Sequence, residues 1–132
     1  MTTANADLTW LLDDLGARVP GIEAVVMLRR DGDVVGASGG LARAETERLA
    51  AIAASFQSLA RGATEYFAAG QVVQVLVDLA GKHLLITPAG DHGALTVVAS
   101  DTAEMGMVAY ETTILSRKLG GCVPGPRPSL LP

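Results

Sequence analysis

The chain has 132 residues, 49% hydrophobic but only 4% aromatic, with a net charge of −4. That length fits one domain with an aliphatic, alanine-rich core. The ten basic residues are scattered, which excludes a general nucleic-acid surface, and the single cysteine, Cys122, excludes an internal disulfide or a Cys-based metal cluster.

One cysteine points to a reducing compartment. The opening MTTANADLTW has no basic stretch and no long apolar run, so no secretory signal is expected. The longest uncharged helical run, 49–60, falls short of the ~20 residues that span a bilayer. A soluble, cytoplasmic protein with no direct membrane insertion is expected.

Leu8, Leu11, Leu12, Leu15 and Val19 recur at helical spacing, which predicts a first helix over 8–19. Asn5 or Asp7 would cap it, and Pro20-Gly21 would end it. Residues 22–29 read as a strand, Arg30-Asp31-Gly32-Asp33 as a tight turn, and Val34 to Ser38 as the returning strand. Gly39-Gly40 precedes a long helix over 41–67, which Gly70 ends. Residues 71–79 are the clearest strand signal. His83 to Thr87, closed by Pro88, and Ala94 to Ala99 follow as strands, separated by short turns. A last helix begins near Asp101, with Asp101 and Glu104 as a capping-box variant.

The predicted order is α-β-β-α-β-β-β-α, with antiparallel neighbours because the connections are short. Several strands are apolar on both alternating sets, such as Val73, Val75 and Val77 against Val72 and Leu76. Both sheet faces must then be covered. The long helix takes one face, and the first and last helices take the other. Residues 1–7 are expected to be a flexible N-terminus, 8–120 the domain, and 121–132 a flexible proline-rich tail.

The long helix has two distinct arcs. Leu49, Ile52, Phe56, Leu59, Ala63 and Phe67 share one, the predicted core face. Ala51, Ser55, Ser58 and Gly62 share the other, with Ala50 and Ala54 beside them. From Leu49 to Ala60 the helix carries no charge at all. Alanine's helix propensity accounts for part of this. An exposed helix would nevertheless carry Glu and Lys across three turns. The small-residue stripe is therefore expected to be covered by a second molecule.

Catalytic patterns are weak. Gly36-Ala37-Ser38-Gly39-Gly40 precedes a helix but lacks the Lys-Ser/Thr ending of a P-loop, and it follows a hairpin. A plain strand-to-helix turn is the better reading. His83 and His92 stand in unrelated positions and do not make a zinc site. Asp13 and Asp14 point about 100° apart on a helix and are expected to solvate a polar face. Ser38, Ser55, Ser58 and Ser100 lie in no nucleophile elbow, and Cys122 has no activating neighbour. No enzyme, metal or cofactor is expected.

Four stretches carry a family resemblance: LTWLLDDLGARVPGI at 8–22, VVMLRRDGDVVGAS at 25–38, ERLAAIAASFQSLARGA at 47–63 and MVAYETTILSRKLG at 107–120. Their ordered set resembles the Roadblock family, relatives of dynein light chains. It is similar to the stand-alone bacterial Roadblock proteins of actinomycete operons that also encode a sensor-kinase-like protein and a small Ras-like GTPase. The proline-rich tail departs from the shared core. The resemblance implies a mixed α/β fold, a five-stranded antiparallel sheet between helices. It also implies homodimers with long helices side by side and sheets joined through the third strand.

Family members bind small GTPases as scaffolds, activators or regulators, without catalysis or cofactors. The implied function is a homodimeric regulatory module for a small Ras-like GTPase. Partners would recruit it to the inner face of the membrane. The candidate dimer or partner interface is Ala50, Ala51, Ala54, Ser55, Gln57, Ser58, Arg61 and Gly62 on the helix, with Val73 and Val75 on the third strand. Arg61 is a conceivable arginine finger, although a solvated helix charge is the plainer reading. One alternative is a purely structural homodimer that organises a sensor-kinase-associated signalling complex. Another is a small-molecule sensor, which would need a large apolar cavity.

Overall fold

The β1–β5 pair is the backbone of the sheet, and it forms because these two segments are apolar on both faces. The computed structural model describes residues 2–123. Its elements are α1 (Thr2–Arg18), β1 (Ile22–Arg29), β2 (Val34–Ala37), α2 (Arg43–Phe67), β3 (Val75–Asp78), β4 (Lys82–Ala89), β5 (Gly93–Ser100) and α3 (Met105–Leu119). All strand pairs are antiparallel, and the sheet order is β2-β1-β5-β4-β3. The expected element order and the split of helices between the faces are both observed.

Alternation along each strand divides the core. Val25, Met27, Leu85, Leu95 and Val97 pack with Leu8, Leu12, Leu15, Leu115 and Leu119 of α1 and α3. Val26, Leu28, Leu84, Ile86 and Ala94 face α2. Burying each large aliphatic side chain stabilises by roughly 1.5–3 kcal/mol, so neither face can be left open to water.

The seat of α2 differs from the expectation. Ala50 and Ala53 are fully buried against the sheet, with Thr46 and Gln57 buried on the same line. Of the predicted core arc, Leu49 and Phe56 are half-buried, whereas Ile52, Leu59 and Phe67 are 42%, 72% and 70% exposed. The physical reason lies in the sheet. Val26, Leu28, Leu84 and Ile86 supply the bulk of this layer, and methyl groups on the helix let its backbone come down onto them. Both arcs repeat at three and four residues, so periodicity alone does not choose between them.

Element ends differ too. α1 starts at Thr2, so Asn5 and Asp7 lie inside the helix rather than capping it. Its alanine-containing first turns extend a helix already nucleated by packing further on. β3 covers only Val75–Asp78 rather than 71–79, and β4 runs through Pro88 instead of stopping before it. The two corrections share a cause. The β3–β4 register, with Val75 opposite Ile86, would place Val73 opposite Pro88. Proline has no N–H to give to that ladder, so β3 begins only beyond it. At α3 the cap is Glu104 alone, whose carboxylate accepts the Gly106 N–H at 2.8 Å. Past Gly120, Val123 is buried with the α1/α3 core. The remainder of the expected tail, 124–132, lies outside the described residues.

Two backbone positions lead to opposite predictions. Gly21, with φ +93°, holds the turn after α1, and an added Cβ would come within 2.6 Å of the Ala103 methyl. Gly21→Ala is expected to cost roughly 2–4 kcal/mol in denaturant unfolding, from left-handed strain plus overlap. Ala68 closes α2 at φ 50°, the one non-glycine residue with positive φ among those described. Ala68→Gly relieves that strain and is expected to raise stability by about 1 kcal/mol in the same measurement.

Candidate interface

β3 is an edge strand, hydrogen-bonded to β4 on one side only. α2 lies over the same sheet face with its two flanks differently dressed. The flank bearing Ala54 faces the β1–β2 turn, where an added Cβ on Gly32 would sit 3.5 Å from the Ala54 methyl. The opposite flank therefore looks toward β3, at the far edge of the sheet. Phe56 and Leu49 reach the margin of the core there, as do Val75 and Val77. Further out, Ile52, Leu59 and Phe67 stand in solvent, together with Val73, which is 81% exposed just before β3. Tyr66 meets Phe67 edge-to-face with ring centroids 5.0 Å apart. Large apolar groups clustered beside an unpaired strand edge mark an interaction surface.

The small-residue stripe occupies the other exposed flank. Ala51, Ser55 and Ser58 border an open groove against Asp31, Gly32 and Asp33 of the turn. The Ser55 hydroxyl donates to the Ala51 carbonyl at 3.0 Å, which satisfies it within the helix. Gly62 has nothing within 4 Å of where a Cβ would be. Of the residues expected at the interface, Ala51, Ser55, Ser58 and Gly62 are exposed together. Val73 and the half-buried Val75 lie at the β3 edge. Ala50 and Gln57 point down onto the chain's own sheet at 0% and 5% exposure, and Ala54 is half-buried. The exposed stripe is thus about one helical position narrower on that side than the sequence predicts.

Arg61 is half-buried, not a freely solvated charge. It lines a cleft with Arg30, Gln57 and the β4–β5 turn. Burial lowers its pKa from the usual guanidinium value, the positive charge of Arg30 lowers it further, and Glu65 partly offsets both. This cleft escaped sequence reading, because Arg30, Gln57 and Arg61 come together only through the packing of α2 on the sheet.

Other singled-out residues have structural partners. The Ser38 hydroxyl accepts the Val25 N–H at 3.0 Å, and the Gly39 N–H donates to the Asp13 carboxylate at 2.6 Å. The Gly36–Gly40 segment thus ties the hairpin to α1. Asp14 turns the other way and pairs with Arg18 at 2.7 Å, and Arg18 also reaches Glu111 of α3 at 2.8 Å. His83 lies 2.7 Å from Asp78 across the β3–β4 pair. No cluster of three His, Cys, Asp or Glu side chains suited to a metal occurs among the described residues. No described helix is long and apolar enough to cross a membrane.

Known proteins share this architecture. Residues 8–99 match the Roadblock/LC7 domain. A crystal structure of a Roadblock/LC7 domain from Streptomyces avermitilis is 33% identical and superposes with a TM-score of 0.80, covering 84% of this chain and 92% of the other. A second Roadblock/LC7 structure from that organism is 34% identical, with a TM-score of 0.70 over 84% of this chain and 96% of its own. The gliding protein MglB from Thermus thermophilus shares the fold at 16% identity, with a TM-score of 0.78 and coverage of 88% and 87%. No curated protein matches the chain. By the span of its family match and its likeness to the Streptomyces structures, the chain belongs to the Roadblock/LC7 family.

Proposed function

We propose that the protein is a non-catalytic, homodimeric regulatory module that binds a small Ras-like GTPase and modulates its signalling or GTP hydrolysis. The observation that carries this reading is the apolar flank of α2, with Ile52, Leu59 and Phe67 exposed beside the free edge of β3. A surface of this kind suits a two-fold contact, in which the same patch meets itself and residue i touches j while j touches i. Two α2 helices then pack flank to flank, and Val73 and Val75 adjoin their counterparts across the two β3 edges.

Self-association by that flank leaves the Ala51, Ser55, Ser58 and Gly62 stripe facing outward. Its side chains are short and uncharged, so a GTPase helix or switch segment can lie close against it. Arg61, half-buried below the stripe, would have to swing out to act as an arginine finger. The module more simply acts by orienting the GTPase's own residues. A sensor-kinase-like protein is a further partner on this reading, and recruitment to the membrane would come from such partners.

Neighbouring residues on α2 separate the two contacts. Leu59→Glu places a charge in the apolar flank and is expected to weaken self-association at least tenfold, a change of about 1.4 kcal/mol. Light scattering at micromolar concentration would show a dimer for the parent chain and a monomer for the variant. Because Leu59 is exposed, circular dichroism should be unchanged. A monomeric parent chain would sink the dimer reading.

Ser58→Glu lies one position away, on the stripe. It is expected to stay dimeric while losing most of its affinity for a small Ras-like GTPase from the same organism, measured by pull-down and GTP hydrolysis. No binding of that GTPase by the unmodified protein, and no change in its hydrolysis rate, would remove the regulatory reading.

A further inference from the structure

The cleft beneath the C-terminal half of α2 encloses about 290 Å³, near the lower end of small-molecule sites. Two guanidinium groups line it, from Arg30 and Arg61. Among the described residues, neither takes part in an ion pair. Burial and the like charge of Arg30 depress the Arg61 pKa, and the carboxylate of Glu65 offsets this only in part.

Gln57 supplies an independent sign. It is only 5% exposed, it lines the same cleft, and no side-chain hydrogen bond among the described residues involves its amide. Its amide atoms are not among the buried polar atoms left without a partner, so the amide reaches the solvent of the cleft, where a ligand can meet it. Gly70 and Gly90 leave the loops at the mouth without side chains. Glu65 and Asp91 stand exposed at the rim and form no ion pair with either arginine. Their negative charge at the rim disfavours a bulky polyanion.

We propose that this cleft binds a small molecule through one compact oxyanion, a phosphate or carboxylate group, held between Arg30 and Arg61 with the Gln57 amide donating to it. Guanidinium groups match the planar spread of such oxygens, and charge-assisted hydrogen bonds are the strong ones. The anion neutralises the arginine pair and takes a hydrogen bond that the Gln57 amide otherwise gives to water. The cleft is a separate site from the apolar flank and does not depend on the GTPase reading.

The test is a titration of the full chain with inorganic phosphate, glycerol phosphate and succinate at constant ionic strength, followed by amide NMR. Saturable shifts confined to Gly70, Gln71, Gly90 and their neighbours are expected. Whether the phosphate probes or succinate bind more tightly assigns the chemical class. Arg30→Gln and Arg61→Gln should each weaken binding about tenfold, the scale of one lost charged hydrogen bond. Gln57→Met, similar in size but without an amide, should weaken it as well. Arg30 is exposed, so its variant folds even if the Gln57 variant does not. Shifts that never saturate, or equal affinity in the parent and the Arg30→Gln/Arg61→Gln double variant, would overturn the proposal. GTPase binding is read separately, so a chain that binds its GTPase but no anion fails this inference alone.

Discussion

The descent of α2 onto the sheet through Ala50 and Ala53 is the contact on which the rest of the molecule depends. Because methyl groups meet the sheet, the helix backbone sits low over Val26, Leu28, Leu84 and Ile86. The long side chains of the same helix are thereby turned outward and sideways. The core face and the exposed apolar flank are two results of one choice of residue size. Enlarging Ala50 or Ala53 would lift the helix, disturb the core beneath and move the flank relative to β3.

The same seating governs the charged end of the helix. α2 passes over the β1–β2 and β4–β5 turns with Gln57 buried and Arg61 half-buried. Polar groups are thus held in a cleft under a helix, opposite an arginine from a distant part of the chain. A low-lying helix produces both an apolar contact surface on one flank and a polar cleft below its far end. Tight helix–sheet packing makes both rigid, since a well-packed layer has few alternative arrangements.

The fold was legible in the sequence because its punctuation is strong. Asp-Gly and Gly turns bounded short apolar strands, and strands apolar on both sets required helices on both faces. The orientation of α2 was not legible. Its two arcs have the same period, and the bulk that fills the layer sits on the sheet rather than on the helix. The extent of β3 was hidden as well, because the residue that shortens it, Pro88, lies on the neighbouring strand. Gln57 has the spacing of an outer stripe, whereas in the fold its side chain lies below the helix, in the cleft. Pairings between distant elements set these features, and local pattern carries little of that information.

β3 is only four residues long, a consequence of Pro88 standing where its ladder would otherwise continue. A strand that offers its edge to other molecules is exposed to indiscriminate templating, the route by which sheets stack into fibres. Keeping the edge short caps the number of main-chain bonds any newcomer can form there. Attachment through the backbone alone is then too weak to persist, and only a molecule that also fits the side chains of α2 can stay. A proline on one strand in this way guards the fidelity of contacts made by its neighbour.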